Sequence, residues 1–330
     1  MAKLNANANA NANANANANA NAGVGLGSIF GGALFNSYKI SRQAFDASPP
    51  NLIAAPPPTP IVAIPPAPAP VPDPPAGVYF GYSTAAGWDA ENKAWECLRD
   101  FAERSPAGWL NTLESDARTL WNGWATQNAL NDAALDLVNA AGERDDRFAE
   151  ILDQHDGEGM IGYWIGMLML DPARQPNAYL LIRVARKIGE MVVMCLKQRI
   201  NAARPSQLCP AVVPMIAPPR TAAYPAGHAL QAYLISYVLK RVLPKFPQSA
   251  LPAAPPNTVA AWKVATHTGL FGLSRRVSDN RVIAGLHFEI DNLAGFTLAR
   301  TIDGMLGNLP AGSVFQQLVT AAQAEFPQYQ

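Results

Sequence analysis

Arg281-Val-Ile-Ala-Gly-Leu-His287-Phe-Glu-Ile-Asp291 places an arginine, a histidine and an aspartate in one short, otherwise apolar segment. His287 and Asp291 are four apart, so on a helix they share a face. A carboxylate so placed holds one ring nitrogen of the histidine and leaves the other free for chemistry. Arg281 adds a permanent cation whose planar donors suit an oxyanion. A satisfied structural network would use the same three residue types, so the stretch has to be weighed with the rest of the chain.

Upstream lies Tyr224-Pro225-Ala226-Gly227-His228, followed by an apolar run with helical periodicity from Ala229. Glycine lets a backbone approach a ligand closely, and free N–H groups at a helix start attract anions. His228 would stand beside such an anion, able to give and take a proton. Further upstream, Lys197 and Arg204 are seven apart with Pro205 just beyond. Seven residues are close to two helical turns, so both cations are expected on one face of a helix that Pro205 ends. Taken singly, a solvated basic face and a turn with a buried histidine explain these two stretches equally well.

In chain order the three stretches read Lys197-x6-Arg204-Pro205, Pro225-Ala226-Gly227-His228, and Arg281-x5-His287-x3-Asp291. This order and spacing resembles the three-part signature of the type 2 phosphatidic acid phosphatase and vanadium-dependent haloperoxidase superfamily: Lys-x6-Arg-Pro, Pro-Ser-Gly-His, Ser-Arg-x5-His-x3-Asp. Two positions depart from it. Ala226 and Asn280 stand where that pattern has serine, which removes one hydroxyl and replaces another with an amide that can still donate. Losing one neutral hydrogen bond costs about 1 kcal/mol, enough to weaken an activity without abolishing it.

The resemblance implies a soluble all-α helical bundle in which Lys197, Arg204, Arg281 and the Gly227 backbone N–H bind an oxyanion. It implies His287 as nucleophile, Asp291 as the residue that orients it, and His228 as the acid and base. The activity implied is hydrolysis of small-molecule phosphate esters through a phosphohistidine, with no cofactor. The alternative is a vanadium-dependent haloperoxidase, with vanadate bound to His287 and with halide and peroxide as substrates. Haloperoxidases usually carry an aromatic residue or a histidine shortly before the second motif, where this chain has Arg220-Thr221-Ala222-Ala223; they are also longer. Both points favour the phosphatase, while Tyr224 is shared with haloperoxidase-like members. A non-catalytic phosphate-binding scaffold is the third reading.

The rest of the chain gives the setting. Residues 5–22 alternate Asn and Ala strictly, with no apolar face in any period, so residues 1–48 read as a disordered leader. Residues 49–76 are dense in proline and read as a polyproline II linker. The catalytic domain is expected over residues 77–330. From Trp88 onward apolar residues recur at helical spacing: Trp95, Leu98, Phe101 and Ala102, then Trp109, Leu113, Leu120 and Trp124. Residues 161–170 are so apolar that a buried helix is expected, and one continuous helix is expected over residues 282–306. Twenty-five basic residues balance 25 acidic ones, which argues against a nucleic-acid partner. No apolar run reaches bilayer length, so a soluble protein is expected, with an oligomer possible. Cys97, Cys195 and Cys209 show no pairing or zinc spacing. Cys97 and Cys195 are expected as buried thiols, which favours the cytoplasm and leaves export open. His267 and His155 are expected near helix ends, away from the chemistry.

Overall fold

The computed structural model describes residues 89–246, 251 and 256–329. The leader, the linker and the domain start at Gly77 lie outside the described residues. Those described form helices, with no strand among them, so the described part of the domain is all-α. No described helix is long and apolar enough to cross a membrane.

The first helices are α1 (Ala90–Arg104), α2 (Trp109–Trp124), α3 (Gln127–Ala140), α4 (Arg144–Asp153) and α5 (Gly157–Leu168). Next come α6 (Pro176–Ile200), the short α7 (Pro205–Leu208) and α8 (Gly227–Val242). The last are α9 (Val259–Val264), α10 (Gly269–Ile283), α11 (Glu289–Gly307) and α12 (Val314–Ala324). Local chemistry sets several starts: Asp89, Thr126, Asp156, Thr258 and Ser313 each accept a backbone N–H of the helix they precede. Pro176 occupies the first turn of α6, where its missing donor costs nothing.

The core is built around α8, which packs against α6, α10 and α11. Its residues from Ala229 to Leu239 are buried apart from Gln231. The α8–α11 crossing is close because Gly295 lacks a side chain. A Cβ there would lie 2.7 Å from Ala229 Cβ and 2.8 Å from the Leu230 backbone nitrogen. Gly295→Ala should therefore destabilise the fold by about 1–3 kcal/mol through overpacking against backbone. The check is thermal unfolding, and an unchanged melting temperature would contradict it.

Three expectations need correcting here. In α1 the buried stripe is Ala94, Cys97, Leu98 and Phe101, so Leu98 and Phe101 lie where expected, while Ala102 is half-buried and Trp95 is 53% exposed under the Lys187 ammonium at 4.8 Å. In α5 Met160, Ile161 and Trp164 join the core while Met167 faces solvent, so the helix buries one face and not its whole apolar length. Among the cysteines, Cys97 and Cys209 are buried and Cys195 is half-buried; all three are free. Burial pushes the Cys97 thiol up to about 12.

Candidate active site

The two cations of the first motif do not share a helix. Asn201 adopts a left-handed backbone (φ 52°) and caps α6 at Ile200, so only Lys197 lies on α6. Arg204 stands at the start of α7, where Gln207 Oε1 accepts its backbone N–H at 2.7 Å. They converge all the same, because both grip the strand of chain that leads into the second motif. Lys197 Nζ donates to the carbonyls of Ala222 and Ala223, the latter at 3.2 Å. Arg204 donates to Thr221 through Nε–O at 3.0 Å and Nη2–Oγ1 at 3.3 Å. Tyr224 anchors the same segment, with its hydroxyl 2.6 Å from Ala117 O and its ring edge-on to Trp121 at 4.8 Å.

The second motif opens α8 two residues earlier than expected: Gly227 is its first residue and His228 its second. The first N–H groups of a helix have no partner within it. Ala226 N donates to Asp291 O at 3.0 Å, which ties this turn to the start of α11. Gln154, the residue after α4, accepts from His228 Nε2 through its main-chain oxygen at 2.9 Å.

The third motif is not one helix. The chain turns between α10 and α11 at Gly285, whose φ of +78° favours glycine. A side chain there would also meet Arg144 Nη2 at 3.0 Å and Pro214 Cα at 3.2 Å. His287 thus lies outside both helices, and its pairing with Asp291 does not come from a shared helical face. It comes from capping: Asp291, in the first turn of α11, reaches back so that Oδ2 accepts the Phe288 N–H at 3.1 Å and His287 Nδ1 at 3.0 Å.

Donor chemistry assigns the ring protons. Arg204 Nη1 is 3.1 Å from His287 Nε2 and 3.0 Å from Leu286 O. A guanidinium only donates, so Nε2 must be the acceptor and the ring proton sits on Nδ1, facing Asp291. Because Asp291 Oδ2 already accepts twice, a proton on this carboxyl would sit on Oδ1, which has no partner among the described residues. His228 has the opposite tautomer: a carbonyl only accepts, so Nε2 carries the proton and Nδ1 the lone pair.

Arg281 is fully buried. Its Nη2 donates to Ile151 O at 2.9 Å, and its Nε and Nη1 have no partner among the described residues. Asn280 corrects the expectation that its amide would serve the anion: Nδ2 turns away to Gln154 Oε1 at 2.9 Å. Most of the other predicted residues are joined by direct contacts: Arg204 and Asp291 flank the His287 ring, Lys197 and Arg204 hold the segment 221–223, and His228 and Arg281 both donate to carbonyls at the end of α4, with Gly227 beside His228. His155 is exposed, and His267 packs among Tyr233, Trp262 and Phe296 away from the cluster.

The buried cations Lys197 and Arg204 act on the buried carboxylate of Asp291, whereas the carboxylate that acts on the buried Arg281 is Glu150. Burial, and then Arg204, pull Lys197 down to about 7. Burial pulls Arg281 down to about 10. Burial and then Arg281 hold His228 at about 3, and burial and then Arg204 hold His287 well below the usual histidine range, so both rings are neutral. Burial pushes Asp291 up to about 7. A cluster rich in cations, with the Arg281 Nε and Nη1 donors buried and without partners among the described residues, has the chemistry that an oxyanion would complement. Thr221, Gln154 and the carbonyls of 222 and 223 also belong to the site; no spacing signal in the sequence marks them.

No protein-family model matches this chain, and no curated protein matches it.

Proposed function

We propose that this chain is a phosphatase of the type 2 phosphatidic acid phosphatase kind, hydrolysing small-molecule phosphate esters through a phosphohistidine at His287. The observation that carries the reading is the suspension of His287 between Asp291 and Arg204, which leaves Nε2 unprotonated beside a cation. The phosphoryl oxygens lie against Lys197, Arg204, Arg281 and the Gly227 N–H, whose charges and dipole stabilise the charge that spreads over them in transfer. As Arg204 Nη1 turns from Nε2 to the phosphoryl oxygens, the freed Nε2 lone pair attacks phosphorus while the bond to the leaving oxygen breaks, and Asp291 stabilises the resulting ring cation. The leaving oxygen takes the proton at Nδ1 of the doubly protonated His228 ring, which becomes neutral with Nε2 still donating to Gln154 O. A phosphoryl dianion against Arg281 offsets the second cause of the low His228 affinity for protons, so binding prepares that step. In the second half His228 Nδ1 takes a proton from water, the oxygen attacks phosphorus, and the P–N electron pair returns to His287. The donors also fit vanadate, with Arg281 Nε and Nη1 turned inward without partners. Vanadate when bound supplies peroxide activation, and His287 Nε2 is the atom this chain offers it.

The test is p-nitrophenyl phosphate hydrolysis beside bromide oxidation with added vanadate and peroxide. Hydrolysis inhibited by vanadate is the expected result. Bromide oxidation without hydrolysis would instead establish the haloperoxidase, and phosphate binding with neither activity would establish the scaffold.

A pH dependence follows from the same groups. Lys197 must keep its proton to bind the anion and loses it above about 7. Asp291 must shed its proton to support the ring cation and regains it below about 7. The kcat/KM profile should therefore be a bell centred near pH 7, its two limbs belonging to the coupled pair. Asp291→Asn should lose the acid limb and keep the alkaline one; an unchanged acid limb would contradict the assignment.

A further inference from the structure

We propose that Gln154 is a positioning residue for His228: its carbonyl fixes the ring tautomer so that Nδ1 does the proton transfer. The last carbonyls of a helix have no partner within it, and two near the end of α4 are taken by residues of the site. Ile151 O accepts from Arg281 and Gln154 O accepts from His228 Nε2, each at 2.9 Å. A main-chain carbonyl orients a ring only as firmly as the chain behind it is held, and Gln154 is held on two sides. Its side chain is fully buried. Oε1 accepts from Asn280 Nδ2 of α10 at 2.9 Å, and Nε2 donates to Glu150 Oε1 at 3.2 Å. Glu150 is itself gripped by Arg276 Nε at 2.6 and 2.8 Å. The amide at position 280 thus latches α4 to α10 one residue before Arg281. The latch keeps Nε2 protonated and turned to Gln154, which leaves Nδ1 as the lone-pair nitrogen. The catalytic half of this inference rests on the reading of His228 as acid and base; the tautomer half does not.

Two variants test it. Gln154→Ala removes the latch, and Gln154→Met removes its hydrogen bonds while keeping side-chain length. Ring-nitrogen NMR on protein labelled at its histidines, with His228 assigned by a His228→Ala spectrum, should show one tautomer protonated at Nε2 in the wild type. Both variants should show a mixture. A wild-type ring already mixed or protonated at Nδ1, or folded variants indistinguishable from wild type, would overturn the tautomer claim. In kinetics, kcat on an alkyl phosphate should fall about ten- to a hundredfold with KM unchanged. The loss on p-nitrophenyl phosphate should be smaller, because its leaving oxygen needs no proton. Equal losses on both substrates, or a change in KM alone, would overturn the link to proton transfer. A wild type with the fixed tautomer and no hydrolysis would sink the phosphatase reading and leave the positioning intact.

Discussion

His287→Ala should abolish hydrolysis of every phosphate ester, with a loss in kcat on the order of 10⁴-fold or more, as expected when a nucleophile is removed. The effect should not depend on the leaving group, since no covalent intermediate forms with any of them. Folding is a separate matter. The residue is 4% exposed and its ring is held by Asp291 and Arg204, so truncation leaves both short of a partner. Asp291 keeps the Phe288 N–H and Arg204 keeps Leu286 O, so the loss is that of two hydrogen bonds to charged groups, about 1.5–3 kcal/mol each. Circular dichroism and thermal unfolding separate the two effects: a folded, inactive variant is the expected result, and near-normal turnover would remove His287 from the mechanism. His287→Gln, which restores a donor and an acceptor, should recover stability and no activity.

The second large effect belongs to His228. His228→Ala should slow hydrolysis of alkyl phosphates by about 10²–10⁴-fold, the range for a lost general acid and base. On p-nitrophenyl phosphate the first half-reaction should be nearly intact, because that leaving oxygen departs without a proton. The second half-reaction should still suffer, since water then lacks its base. A burst of p-nitrophenolate followed by a slow steady rate is the expected trace in rapid-mixing kinetics. The same loss on both substrates, without a burst, would place His228 in substrate binding instead. Having given a proton to the leaving oxygen, the wild-type His228 ring enters the second half-reaction neutral and ready to act as a base.

The chemistry of the site was legible in the sequence because it depends on residue type and spacing. Lys197, Arg204, Gly227, His228, Arg281, His287 and Asp291 carry their identities openly, and the all-α class follows from the apolar periodicity around them. The geometry that joins them was less so. Lys197 and Arg204, seven apart, suggested two turns of one helix, yet Asn201 reverses the backbone between them. The apolar run around Gly285 continued at helical spacing and hid the turn that frees His287 from α10 and α11, although glycine at a helix end was the available signal. Met167 and Trp95 show the limit of reading burial from composition: each is apolar, and each faces solvent or a surface cation. Gln154 could not have been found at all. It follows α4 as an ordinary polar residue, and only tertiary packing brings its carbonyl to His228 and its side chain to Asn280.

The most direct measurement is capture of the intermediate. Wild-type protein and His228→Ala are mixed rapidly with a phosphate ester carrying labelled phosphorus, quenched in alkali to preserve an N–P bond, digested, and sequenced by mass spectrometry. Label on the peptide containing His287, located on that ring and accumulating further in His228→Ala, is the result expected. Turnover without any protein-bound phosphate, or phosphate on a residue other than His287, would contradict the account.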